Sequence, residues 1–202
     1  QITLGTEQFS SVNLLEQSIL ELTNNITVPL ASHTLTFGAR FEHVGILNDF
    51  RQRSFGAYKF QSLDSLERRQ PFGYSVAYPN GPGIAADFGA QIFSAYAQDQ
   101  WLLSPRFTAT GGLRVDVPRM LDQPADNPNI RNGFAARGLN VSTTGTPRTR
   151  ALFSPRLGVN WDVRGNQTLQ LRANAGIYTG QPPYLLLSNA YGNTGRGLAI
   201  LN

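Results

Sequence analysis

The 202-residue chain contains no cysteine, so it forms no disulfide and offers no thiolate metal ligand. Histidine is nearly absent too: His33 and His43 are the only two. On one extended strand they stand about 33 Å apart, at about 3.3 Å per residue, and cannot share a metal ion. No stretch approaches 18 consecutive apolar residues, so no transmembrane helix is encoded. No basic start followed by an apolar run is visible, so no signal peptide is read; the expectation is that the sequence begins inside a longer or processed protein. Lysine is reduced to Lys59 among seventeen basic residues. The arginines are scattered at near-even spacing rather than gathered on one surface, which argues against a nucleic-acid partner.

Catalytic chemistry is also missing. Gly73-Tyr74-Ser75-Val76-Ala77 comes close to a nucleophile elbow, but no strand-to-helix junction accompanies it. Asp122, Asp126, Asn127 and Asn129 gather hard oxygens of the kind calcium takes, yet a solvated loop broken by proline explains them more simply. Formal sequons occur at Asn25, Asn140 and Asn166, two of them in or beside strands or tight turns. The expectation is a protein that is not an enzyme and has no cofactor or metal.

What the chain does have is alternation. In FSPRLGVNWDVRGNQTLQLRANAGIY (153–178), Phe153, Leu157, Val159, Trp161 and Val163 oppose Ser154, Arg156, Gly158, Asn160 and Asp162. After RGNQ, Leu169, Leu171, Ala173, Ala175 and Ile177 oppose Gln170, Arg172, Asn174, Gly176 and Tyr178. Strict period two marks a strand with two different faces. The same pattern predicts strands over about 13–28, 33–43, 90–103, 107–117, 153–163 and 168–178. Tight turns near Pro29–Ser32, Ser104–Arg106 and Arg164–Gln167 join them in pairs. Between and after the pairs lie long segments, about 44–87, 118–152 and 179–202, rich in Gly, Pro and Asn. Within the first, FQSLDSLERRQP (60–71) predicts a short helix.

An alternating strand buries its apolar face either in a soluble core or in lipid. Mean hydropathy, −0.23, does not separate the two, because membrane strands average to neutral. Three features favour lipid. The strands run about 11 residues against a soluble mean of about 5–6, and at a tilt near 40° they rise about 28 Å, close to the apolar band of an outer-membrane barrel. Trp101 and Trp161 each lie three residues before a short turn on the apolar face, where a ring prefers the membrane boundary. Phe153 and Tyr178 mark the other end. Short and long connections alternate strictly, as periplasmic turns and outer loops do. Backbone polar groups in lipid must all pair, so the strands belong to a closed barrel. Six are too few to close one. The fold expected is all-β: an antiparallel meander forming part of a larger transmembrane β-barrel. Arg40, Glu42, Arg114, Asp116, Arg156, Asp162 and Arg172 are the expected lumen-facing charges. They either contact a substrate or plug, or form cross-strand ion pairs worth about 0.2–1 kcal/mol each.

Several segments resemble TonB-dependent outer-membrane receptors of the Oar-like group, which carry a carboxypeptidase-regulatory-like domain. YAQDQW (96–101), a turn and GLRVDVP (112–118) resemble that group's most recognisable hairpin. FSPRLGVNWDV (153–163) resembles the next descending strand, HTLTFGARFE (33–42) an earlier ascending one, and FGAYKFQSLDSLERRQP (55–71) the loop after it. The resemblance spans about residues 13–184 in the family's order. It implies a barrel of about 22 strands in the outer membrane of a Gram-negative bacterium. It also implies an N-terminal plug and energisation through TonB, with long outer loops that recognise a large ligand (glycan, peptide or protein). No plug domain, TonB-contacting box or closing strand is read in this sequence. Two alternatives stay open: a structural or adhesive barrel without transport, and a soluble β-rich binding module.

Overall fold

The computed structural model describes residues 7, 9–81 and 84–201. Its main sheet holds six antiparallel strands: β1 (Val12–Leu30), β2 (His33–Arg51), β5 (Ala86–Ser104), β6 (Phe107–Met120), β7 (Leu152–Asp162) and β8 (Gln170–Gly176). They pair in chain order, so the sheet is a meander. A smaller sheet of β3 (Ala57–Lys59), β4 (Gly73–Pro79) and β9 (Leu198–Leu201) is built from the long connections. Three short helices complete the chain: α1 (Leu63–Glu67), α2 (Pro128–Ala135) and α3 (Tyr184–Gly192). Among the described residues β1 and β8 do not pair with each other, so the sheet is an open arc.

The ladders carry the two faces faithfully from strand to strand. On one face Ile26, Phe37, Ala97, Leu113 and Pro155 form a continuous row, and Leu22, Phe41, Phe93 and Val117 form another. On the opposite face Thr23, Arg40, Ser94, Asp116 and Leu152 share a row. The apolar rows stay open to the surroundings: Phe37, Phe93, Leu113 and Leu157 are all exposed. A soluble sheet would bury such a face.

Two of the short turns depend on special backbone. Ala31, in the two-residue turn between β1 and β2, has φ of 46°, the positive value that a tight hairpin turn demands. In the β7–β8 turn the Asp162 carboxylate accepts the backbone N–H groups of Gly165 and Gln167, both at 2.9 Å, while Gln167 itself has φ of 62°. Where the chain needs glycine most is Gly38. The Tyr96 ring lies over it, occupying the space of any added Cβ, and its hydroxyl reaches across to hydrogen-bond Asn25 Oδ1 on β1. One tyrosine thus bridges three strands on the polar face.

The strands β1, β2 and β5 run 19 residues each, well past their alternating portions. Their outer ends belong to a different environment. From Phe41 downward, β2 places its apolar residues on the open face. From Val44 upward, Val44 and Ile46 lie on the other face and are 1% and 3% exposed. In β5 the same reversal falls between Phe93 and Ile92, one register row away. Above that level Ala86, Phe88, Ala90 and Ile92 are buried on the inner face, and the open face carries Asp87 and Gln91. The expected 44–87 segment is therefore strand over its first eight residues, to Arg51, and again from Ala86. Between those ends, α1 forms within the predicted 60–71 helix, held by a reciprocal cap in which Ser62 and Ser65 exchange side-chain bonds at 3.0 and 3.1 Å.

Candidate functional site

The segment after β8 covers the reversed region. Instead of leaving the sheet, residues 179–201 turn back along the inner face. Thr179 Oγ1 donates to Asp116 Oδ2 at 3.2 Å and lies 3.2 Å from Ser154 Oγ. Gln181 Nε2 donates to both Glu42 oxygens, at 3.0 and 3.2 Å. The strap thus passes from β7 over β6 to β2. Pro182 and Pro183 then direct it into α3, which packs on β2 and β5. Asn48 Nδ2 donates to Ser188 Oγ at 2.6 Å. Beyond α3 the strap meets the second long connection: Asn127 Nδ2 donates to the Thr194 carbonyl at 2.8 Å. It ends as β9 against β4, with Val76 opposite Leu201.

The apolar contact under α3 is the described core: Val44, Ile46, Ala86, Phe88 and Ala90 from the wall, Tyr184 and Tyr191 from the helix. Phe88 and Tyr191 stack with centroids 4.1 Å apart and planes 9° from parallel. Each such ring contributes about 1.5–3 kcal/mol on full burial. Tyr191 also donates its hydroxyl to the Asp122 carbonyl at 2.8 Å. The Tyr184 hydroxyl is buried with no hydrogen-bond partner. Burial pushes both phenols above their ordinary acidity, with nearby Glu42 adding to the shift at Tyr184 and Asp122 at Tyr191.

That shift predicts an alkaline release. A phenol held protonated by the docked state stabilises docking fully below its ordinary value of about 10, and the gain is lost as pH climbs past it. Subtilisin cleavage within residues 179–197 should therefore rise between about pH 9 and about pH 11, while Tyr184→Phe should shrink that response, leaving the part due to Tyr191. An equal response in the variant would show that Tyr184 is not the group involved.

Below the strap the wall is a polar network. Arg114 Nε contacts both Asp116 oxygens, at 2.8 and 3.0 Å, and its Nη2 donates to Ser94 Oγ at 2.8 Å. Ser94 Oγ in turn donates to Asp116 Oδ1 at 2.6 Å. Arg40 Nη2 bonds Glu42 and, at 2.9 Å, Glu21. Glu21 and Glu42 directly oppose each other in the β1–β2 ladder, so Arg40 separates two like charges that would otherwise repel. Of the three ion pairs, Arg114–Asp116 and Arg40–Glu42 join residues two apart on one strand, and Arg40–Glu21 crosses from β2 to β1.

The other expected lumen charges have different roles. Arg156 faces inward, its guanidinium 4.6 Å from the centre of the Tyr178 ring. Asp162 organises the β7–β8 turn as described above. Arg172 donates to Gln170 Oε1 at 2.7 Å. Of the aromatic residues expected at the membrane boundary, Trp101 and Trp161 lie on the open apolar face at the short-turn end, both exposed. The Trp101 ring stacks on His33 at 5.2 Å, and His33 Nδ1 lies 2.7 Å from Asp99 Oδ2. Phe153 is on the same open face near the other boundary. Tyr178 stands on the inner side beside Arg156, because β8 keeps its parity through Ile177, whose N–H bonds the Pro155 carbonyl at 3.0 Å.

The oxygen-rich loop is used internally. Asp122 Oδ2 accepts Gly89 N–H at 2.7 Å, Asp126 pairs with Arg131, and Asn127 Oδ1 caps α2. Sequence reading missed the strap entirely; its only signal was the apolar run Tyr184–Leu187 inside a loop otherwise rich in Gly and Asn.

Residues 2–199 match the family model described as outer membrane beta barrel domain. No curated protein and no solved structure matches the chain.

Proposed function

The chain belongs to the outer membrane beta barrel domain family and sits in the bacterial outer membrane, and on that premise we propose that it forms one arc of a TonB-dependent transporter of the Oar-like group. The observation that carries the reading is the inner wall. Across β1, β2, β5, β6 and β7 the inward rows hold hydrogen-bonded charged and polar groups, and the arc spans six strands without closing. Such a wall fits a wide, wet lumen or the surface of a plug, and a narrow barrel would fill it with packed side chains. The partners in this proposal are the lipid bilayer on the open face, TonB reached through other parts of the protein, and a large extracellular ligand. No catalysis is assigned.

The outer loops supply the recognition surface. On the β3–β4 hairpin Tyr58 and Tyr74 stand opposite each other, with rings 4.5 Å apart. They and Phe72 face outward, while Ser75 and Ala77 on the other side are buried. Amphipathic aromatic rings give large contact area with few rotatable bonds, a property common in binding surfaces.

The test is direct capture. The full-length protein, folded in detergent, should form a one-to-one complex with the purified periplasmic domain of TonB on size-exclusion chromatography. A folded barrel that never captures the domain would leave the non-transporting structural or adhesive barrel as the better reading.

A further inference from the structure

Between the strap and the inner wall lies a cavity of about 220 Å³. Its polar lining is Arg40, Arg114, Arg156, Asp116, Thr179 and Gln181. We infer that this cavity binds a small anionic solute through its carboxylate or phosphate oxygens. This deepens the transport reading by naming a ligand chemistry on the wall, and it rests on that reading's lumenal placement of the cavity.

The argument is which hydrogen-bonding groups are already engaged. Both carboxylates at the cavity are saturated from several sides. Asp116 accepts from Ser94, Arg114 and Thr179. Glu42, just behind, accepts from Arg40 and from Gln181. No carboxylate oxygen is left aimed at the cavity to hold a cation. The guanidinium groups are in the opposite condition. Each carries five N–H donors in a planar fork. Arg114 uses Nε and Nη2, and its Nη1 has no protein partner among the described residues. Arg40 engages its carboxylates through Nη2 alone. The Arg156 guanidinium makes no hydrogen bond and no ion pair among the described residues; its one contact of this kind is the Tyr178 ring.

Charge points the same way. Arg114 is balanced by Asp116, and Arg40 is balanced by Glu42 with Glu21 beyond it. Three arginines here meet three carboxylates, so the group is neutral as a whole. The surplus negative charge sits on exposed Glu21 of β1, and the local positive surplus at the cavity is Arg156, which has no ion pair among the described residues. An entering oxyanion would supply the missing acceptors to guanidinium forks whose geometry matches carboxylate and phosphate oxygens. Thr179 and Gln181, from the strap, close the side facing the lumen. A neutral polar molecule would bond the same donors without answering the charge, and would bind more weakly.

The experiment measures binding to the full-length protein in detergent by calorimetry. The probes are succinate, inorganic phosphate and the neutral isostere succinamide, with potassium chloride matching ionic strength. Expected is millimolar binding of at least one anion, with succinamide about tenfold weaker or undetectable. Arg156→Gln should weaken the anion about tenfold. Arg156→Lys, which keeps the charge and loses the fork, should fall between. The Arg156 side chain makes no hydrogen bond within the wall among the described residues, and far-ultraviolet circular dichroism checks that both variants stay folded. Whichever of succinate and phosphate binds names the oxyanion. Succinamide binding as well as succinate, an unchanged R156Q, neither anion binding, or chloride displacing both anions at matched ionic strength would each overturn the inference. If TonB is captured and no anion binds, only this inference falls. If anions bind and TonB is never captured, only the transport reading falls.

Discussion

Leu113→Arg lowers the stability of the folded barrel in lipid vesicles by about 2–4 kcal/mol, the cost of an arginine at the bilayer midplane on a lipid-facing strand. The same charge placed one register row away, by Gln98→Arg, changes it by less than about 1 kcal/mol. Leu113 opposes Ala97 on the open apolar face, and Gln98 opposes Gly112 on the polar face. Depth and neighbouring backbone are therefore nearly equal, and only the medium on each side differs. Urea unfolding of the full-length protein from phosphatidylcholine vesicles reads both midpoints. Equal losses from the two variants would mean that the faces meet similar surroundings, and the assignment of the apolar rows to lipid would fail.

Arg40→Met should be at least as damaging. Glu42 is 2% exposed, with Gln181 as its only other side-chain partner among the described residues, and methionine would leave its charge buried beside the opposing Glu21. Removing one member of a buried ion pair costs about 3–5 kcal/mol. The burial of Glu42 sets that figure, because Glu21 is open to solvent and screened. The double variant Arg40→Met/Glu42→Gln removes the stranded charge and should recover more than half of the loss in the same urea titration. If the double variant is no better than the single one, the damage comes from lost packing of the arginine stem and not from the stranded carboxylate.

The lipid-spanning part of this fold was legible because its rule is simple. From Leu35 to Phe41, and from Phe107 to Val117, every second residue lies on the open apolar face, and the sequence records that directly. The reading failed where the rule inverts. Val44 and Ile46 share parity with Arg40 and Glu42, so a period-two scan reads them as noise and ends the strand at His43. They are apolar because α3 covers them, and nothing local announces a partner some 140 residues later. The same holds for Phe88, whose stacking partner is Tyr191. Arg40, Glu42, Arg114, Asp116 and Arg156 share one face of the sheet because they share a parity along their paired strands. Their partners were not predictable, because parity fixes a direction and not a rotamer: Asp162 bends into its own turn, and Tyr178 offers its ring to Arg156.

The level at which the greasy parity flips gives a ruler. From the boundary row of His33 and Trp101 to the Phe41–Phe93 row, the open face of β2 carries Leu35, Phe37, Ala39 and Phe41. At about 3.3 Å per residue and a tilt of about 40°, that interval is about 20 Å, near the apolar height of an outer-membrane barrel once the flanking rings are added. The strand ends beyond it stand in water, held upright by the strap.

The β4–β9 pairing makes two distant surface segments a single exchangeable part. Residues 73–79 and 198–201 share one small sheet, and α3 between them and β8 fills a hollow shaped by Phe88 and Val44. A chimera that grafts a relative's third loop alone would strip β4 of its neighbour and uncover a greasy floor at the entrance. Swaps of outer loops between barrels of this kind therefore succeed only in matched sets: the first, second and third loops and the floor residues together.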